Sequence, residues 1–209
     1  MEVHVGEMLP NVPKVSLEAF HAFRDERPKS EKWELIDGYP MMMPPPSLIH
    51  QRISKNIDAM LTERLRKAQP EWMADREIGI LLGDDALYNP EPDVTVIDRE
   101  ISLDQIYAER FYFVAEVLFS SDRPERRAGS DKPIVLATKI AYYQRHAPCR
   151  GILVVRQDAV EADLHVRENG AWQTIELRTP ADRIVIPDIG DVGPLGDLYR
   201  DTPLFPKSG

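Results

Sequence analysis

The sequence predicts an α/β fold in which a mixed central β-sheet is flanked by helices. Three observations lead there. Short apolar runs bounded by turn residues, Asp93-Val94-Thr95-Val96-Ile97, Phe111–Leu118 and Gly151-Ile152-Leu153-Val154-Val155, read as buried strands. A helical segment over roughly Pro133–Arg145 stands between the last two, the pattern of a crossover that joins two strands of one sheet. A second helix, His50–Lys67, is framed by Ile49, Ile53, Ile57, Met60, Leu61 and Leu65 at helical spacing, which gives it one apolar face to lay on that sheet.

The remaining elements follow in chain order. Val15–Phe23 reads as a short helix behind a Ser16 cap. Trp33–Tyr39 alternates into Asp37-Gly38, a strong hairpin-turn signal, and the returning strand ends at Met41-Met42-Met43. Pro44-Pro45-Pro46 stops regular structure, and Ser47 caps the helix that follows. Trp72–Leu82 reads as one strand ending at Gly83-Asp84-Asp85. Ala162–Val166 and Trp172–Leu177 form a hairpin around Asn169-Gly170, after which Pro and Gly punctuate the chain to its end. At 209 residues the chain is expected to form one domain, 1–209, with 1–30 as an N-terminal helical extension and 31–200 as the core.

Composition narrows the class. With 43% hydrophobic and 29% charged residues and no apolar run near the roughly 20 residues of a membrane span, neither a disordered chain nor a membrane-spanning one fits. The first residues, Met1-Glu2-Val3-His4-Val5, have no basic or apolar leader character, and the single Cys149 forms no internal disulfide, so a reducing cytoplasm is the expected location. The net charge of −9 argues against broad phosphate affinity. Its distribution is uneven: Ser120–Arg156 carries eight basic against three acidic residues, and Glu71–Glu116 twelve acidic against three basic. Ordinary solvated faces would look the same, as would a metal site beside a phosphate-binding rim.

Three acids fall where acids are expensive: Glu34 inside the first strand, Asp93 at the start of an apolar strand, and Glu116 within Phe111–Leu118. Alternation puts Glu116 on one face with Val114 and Leu118, so its charge points among apolar neighbours unless the strand lies at an edge. Hard divalent cations take one or two carboxylates together with waters and substrate phosphate, which suits Asp93 and Glu116 on adjacent strands. Lys139, on the next helix, is the cation that would balance charge at a phosphate.

The ordered series Trp33-Glu34-Leu35-Ile36-Asp37-Gly38, Pro45-Pro46-Ser47 with His50-Gln51, Pro92-Asp93-Val94, Ala115-Glu116-Val117-Leu118 and Lys139 with Tyr143 resembles the Uma2 family (DUF820). That family is similar to the PD-(D/E)XK, restriction-endonuclease-like superfamily, and the resemblance spans roughly residues 15–200. It implies Asp93 and Glu116 as metal ligands, with Glu34 as the upstream acid that helps bind metal or its waters. The usual superfamily lysine position, two residues after the Glu, is Leu118 here, and the resemblance places the lysine on the following helix at Lys139. Lys132 is the second candidate, although Tyr143 and the strand Gly151–Val155 favour the register of Lys139. The chain departs from the family pattern in Phe119-Ser120-Ser121 where Ser-Pro-Ser is usual, in the long interval from Glu116 to Lys139, and in Val155 where an acid often ends the strand, Asp158 coming three residues later.

His50 stands where the family has His-Gln, and would contact the scissile phosphate or a metal-bound water, or else pack and hydrogen-bond locally at the helix start. Arg123, Arg126 and Arg127 suit a phosphate-contacting loop or a solvated one. His146 and Cys149 are too isolated to read as metal ligands. The function expected is a Mg²⁺- or Mn²⁺-dependent endonuclease that hydrolyses DNA, with a homodimer implied by the resemblance and no membrane partner. The alternatives are a nuclease-fold module that binds nucleic acid or protein without turnover, and a dimerisation domain using Trp172 and the C-terminal strands.

Overall fold

A computed structural model describes residues 13–83, 86–118 and 132–205. Its centre is a six-stranded mixed sheet in the order β3-β4-β5-β6-β7-β8. These strands are β3 (Trp72–Asp75), β4 (Val94–Asp98), β5 (Phe111–Leu118), β6 (Gly151–Arg156), β7 (Ala162–Glu168) and β8 (Ala171–Leu177). Only β5 and β6 pair in parallel, and α3 (Lys132–Arg145) is the crossover between them. The hairpin β1 (Lys32–Ile36) and β2 (Tyr39–Met43) stands apart from this sheet, as does a second hairpin, β9 (Arg183–Ile186) with β10 (Gly190–Pro194). The α/β reading of the sequence holds, with β4 and β5 inside the sheet and not at its edge.

Helices cover both faces. The stripe Ile53, Ile57, Leu61 and Leu65 of α2 (Leu48–Ala68) is at most 2% exposed and packs on Val94, Val96, Phe113, Ala115 and Val117 of the sheet. Each such aliphatic side chain contributes about 1.5–3 kcal/mol by leaving water. Tyr142 and Tyr143 of α3 close the other face over Phe111, Val114, Ile152 and Val154. A bulge lets β5 serve both layers: between Val96 and Ile97 the partner shifts from Phe113 to Phe111, an extra residue that turns these two rings to opposite faces. Beyond the bulge alternation resumes, so Val114, Glu116 and Leu118 face α3 while Ala115 and Val117 face α2.

Local chemistry explains the boundaries. The Ser47 hydroxyl accepts the His50 N–H at 3.1 Å and starts α2, and Ser16 does the same for α1 (Leu17–Asp25) through the Ala19 N–H at 3.2 Å. Asp37 and Gly38 (φ 50° and 80°) and Asn169 and Gly170 (φ 51° and 81°) are the left-handed pairs that two-residue hairpins need. No helix among the described residues is long and apolar enough to cross a membrane.

Two expectations about strands need correction. The strand expected over Trp72–Leu82 ends at Asp75, where its pairing with β4 runs out at Thr95; Glu77 then turns left-handed at φ 57°, and Ile80 makes only a single bridge, to Ala108. The Pro- and Gly-rich tail is not irregular throughout. It forms β9, β10 and a 3-10 turn at Leu195–Tyr199, which pack against α2 through Ile184, Ile186, Leu195 and Leu198. Trp172, the contact residue of the alternative dimerisation reading, is half-buried on its own fold: its indole donates to the Gln144 carbonyl at 3.3 Å, and the Arg167 guanidinium lies 4.8 Å from the ring centroid.

Candidate active site

Five segments, β1, α2, the residue before β4, β5 and α3, deliver side chains to one cleft, open to solvent, at the C-terminal end of β5. Glu34 comes from β1, held beside the sheet where Leu35 and Asn89 exchange backbone hydrogen bonds of 3.3 and 2.8 Å. Asp93 lies just before β4, His50 in the first turn of α2, Glu116 near the end of β5, and Lys139 two turns into α3. The exposures are low: Glu34 1%, Lys139 3%, His50 5%, Glu116 8% and Asp93 9%.

The Lys139 ammonium sits between two carboxylates, 2.8 Å from Glu116 Oε1 and 2.9 Å from Glu34 Oε2. Burial opposes its charge, but Glu116 and Glu34 more than offset this and raise its pKa. Glu116 Oε1 also accepts the Tyr143 hydroxyl at 2.6 Å. Burial pushes the Glu116 carboxyl up to about 7; Lys139 works against the shift, while Glu34 and Asp93 add to it. Tyr143 is held well above the ordinary phenol range by burial and the same two glutamates.

Asp93 is built differently. Burial would raise its pKa, yet the net shift is downward, because the His50 hydrogen bond and charge and the Val117 N–H favour the carboxylate. Val117 N–H donates to Asp93 Oδ2 at 2.6 Å, and His50 Nε2 lies 3.3 Å from the same oxygen. The register explains the first contact: Val94 pairs with Ala115, so the residue before β4 reaches the next outward amide of β5. His50 is held in turn by Ser47, whose hydroxyl donates to Gln157 Oε1 at 2.6 Å while accepting the His50 amide.

These contacts bear on a cation. Three buried carboxylates, Glu34, Glu116 and Asp93, line the cleft with Lys139, the one buried ammonium among the described residues, an excess of negative charge that protonation or a cation would relieve. Glu34 Oε2 is buried 2.9 Å from the Lys139 ammonium. Among the described residues no group of three or more His, Cys, Asp or Glu side chains is placed to hold a metal ion. A hard divalent ion that keeps its waters needs only one or two carboxylates, so an all-oxygen set of this kind suits that class of ion and not a closed structural site.

The structure therefore brings together Glu34, His50, Asp93, Glu116 and Lys139. Lys132 opens α3, with its side chain outside the described residues, as are Arg123, Arg126, Arg127 and Phe119-Ser120-Ser121. Sequence reasoning missed Lys32, Glu77 and Glu91, which also line the cleft. Lys32 Nζ lies 3.8 Å from Glu91 Oε2, and burial raises the Glu91 pKa despite that partner. Nothing in their sequence context marks these three; they arrive through the left-handed turn at Glu77 and the docking of the first hairpin.

Comparison with known proteins agrees with this architecture. The solved structure of "a putative nuclease belonging to DUF820" from Anabaena variabilis superposes with a TM-score of 0.65 at 16% identity, covering 88% of this chain and 97% of that one. No curated protein matches the chain. The model of the Uma2 family, described as "putative restriction endonuclease", matches residues 17–192, and the chain belongs to that family.

Proposed function

We propose that the protein is a divalent-metal-dependent endonuclease that hydrolyses DNA phosphodiester bonds at this cleft. The observation that carries the reading is the buried Lys139 clasped between Glu34 and Glu116, beside an Asp93 that its neighbours keep ionised. A Mg²⁺ or Mn²⁺ ion bound there would lower the pKa of a coordinated water and neutralise charge developing on the phosphoryl group. Asp93 and Glu116 would hold the ion, with Glu34 receiving its waters. His50 keeps Asp93 ionised and oriented, and Ser47 and Gln157 fix the turn that carries His50. Lys139 sets the charge on Glu116 and supplies a fixed cation to the phosphate side of the site.

The test is cleavage of plasmid and single-stranded DNA with Mg²⁺ or Mn²⁺ by the unmodified chain, by Asp93→Ala and by Lys139→Ala. Loss in both variants supports the reading. Loss in Asp93→Ala alone moves the lysine role to Lys132. No cleavage by the unmodified chain, with metal binding intact, favours a binding module.

A further inference from the structure

Two ammonium groups among the described residues line the cleft, and they are held in different ways. Lys139 is enclosed: its side chain is 4% exposed, with carboxylate oxygens of Glu116 and Glu34 at 2.8 and 2.9 Å. Lys32 is open to solvent: its side chain is 30% exposed, and its Nζ lies 3.8 Å from Glu91 Oε2 and donates to the Glu91 carbonyl at 3.4 Å. A long contact between two partly exposed side chains is weak, because water screens it and fixing a lysine in one geometry costs entropy.

Strand geometry places Lys32 beside the site. Residues of β1 alternate, so Lys32 and Glu34 project from the same face, roughly 6.6 Å apart along the strand. Glu34 is the buried one of the two and Lys32 the outer. Lys32 pairs with Met43 at the open end of the hairpin, from which the chain runs through Pro44–Pro46 into α2 and His50. It is also near enough to Asp93 for its charge to favour that carboxylate.

A phosphate oxygen is a stronger acceptor for an ammonium than a distant carboxylate, since a charge-assisted hydrogen bond requires close approach. Lys139 cannot turn to such an oxygen without leaving two buried carboxylates unpaired, which is costly. Lys32 gives up only its long contact with Glu91, whose carboxyl burial already inclines to hold a proton.

We infer that Lys32 binds substrate phosphate at this cleft, exchanging Glu91 for a phosphate oxygen while Lys139 stays with Glu34 and Glu116. The inference rests on the nuclease reading for the substrate. It deepens that reading by separating two lysine roles, Lys139 as a fixed charge and Lys32 as the direct phosphate contact.

Its test reads binding apart from turnover. A labelled duplex and a labelled single strand of DNA are titrated with the full chain in Ca²⁺ at several KCl concentrations, and anisotropy is followed. Lys32→Gln is expected to bind on the order of fivefold more weakly at low salt, with a dependence of log affinity on log salt shallower by roughly 0.9 on the duplex and 0.7 on the single strand. Lys32→Arg keeps the charge and is expected to keep the slope. Glu91→Gln separates phosphate binding from a structural tie: Lys32→Gln should cost as much in that background as in the unmodified chain, whereas a lysine that only holds Glu91 would have no effect there. An unchanged slope in Lys32→Gln, a slope lowered equally in Lys32→Arg, disappearance of the effect in Glu91→Gln, or no binding of either probe overturns the inference. Failure of the nuclease reading is separate: it shows as no cleavage with Mg²⁺ or Mn²⁺ while Lys32-dependent binding persists.

Discussion

The Lys139 ammonium on α3 and the Glu116 carboxylate on β5 stand 2.8 Å apart, with Glu34 on the far side of the same ammonium at 2.9 Å. This contact ties together three elements with no mutual backbone pairing: the crossover helix, the central strand and the detached first hairpin. Burying such charges is costly, and the geometry returns that cost only while every partner is present. A site that depends on an ion pair in this way is sensitive to which member is removed.

Lys139→Met leaves Glu34 and Glu116 buried without their cation. It should destabilise the fold by about 3–5 kcal/mol at pH 8. The sign with pH is fixed by Glu116, whose pKa of about 7 rises further once the ammonium is gone, so the deficit shrinks as pH falls and the carboxyl takes up a proton. Urea unfolding at pH 8 and pH 6 measures this, and a deficit independent of pH contradicts it. Adding Glu34→Gln and Glu116→Gln to the same chain should recover much of the loss.

Tyr143 donates to the oxygen of Glu116 that also meets Lys139. Tyr143→Phe keeps the ring packing against Phe111 and removes only that donor, at about 1–2 kcal/mol of stability. Losing a hydrogen bond to the carboxylate moves the Glu116 pKa further above about 7. If the cleft hydrolyses DNA as proposed, the acid limb of its pH–rate profile therefore shifts to higher pH in Tyr143→Phe. An unchanged limb with reduced stability would limit Tyr143 to a packing role.

Much of this arrangement is legible in the sequence because it rests on local chemistry. Asp37-Gly38 and Asn169-Gly170 announce their hairpins through left-handed backbone that few other pairs adopt, and Ser47 announces α2. Period-two alternation correctly turns Glu116 toward α3, but only because the β5 bulge lies upstream, at Phe111–Phe113, where alternation fails. What sequence cannot show is convergence. Tyr143 and the strand Gly151–Val155 favour Lys139 over Lys132 in the sequence, but the contact of Lys139 with Glu34, more than 100 residues away, has no signal there. Glu77 and Glu91 reach the cleft through a left-handed turn that no motif signals, and β9–β10 hides among the Pro and Gly residues that ordinarily mark a loop.

His146 provides an acid-sensitive contact away from the cleft. Its Nε2 accepts the Phe111 N–H at 3.3 Å, and its ring stacks on Phe111 at 4.4 Å. Burial, with the nearby Arg167 and Arg110 charges, pushes its pKa down to about 4 from 6.5. A depressed folded-state pKa contributes stability that is complete above 6.5 and is lost as pH falls through 4. His146→Gln, which retains an acceptor without titrating in this range, should flatten the decline of the unfolding midpoint between pH 6.5 and 4. A slope equal to that of the unmodified chain would assign acid sensitivity to the carboxylates instead.

Metal binding gives the last prediction, which is independent of turnover. An ion that binds only the folded chain stabilises it by about 2.7 kcal/mol at one hundred times its dissociation constant. Mg²⁺ or Mn²⁺ should therefore raise the thermal midpoint of the unmodified chain in a saturable way. Asp93→Asn removes a carboxylate charge that His50 and the Val117 amide are arranged to keep, and should abolish most of that rise. Lys139→Met makes the opposite case. With the ammonium gone, Glu34 and Glu116 carry an uncompensated charge that a divalent ion can neutralise, so this variant should gain more from the metal than the unmodified chain does. Opposite responses of the two variants would identify Asp93 as a ligand and Lys139 as a competitor for the same negative charge. Parallel responses would mean that the ion binds elsewhere.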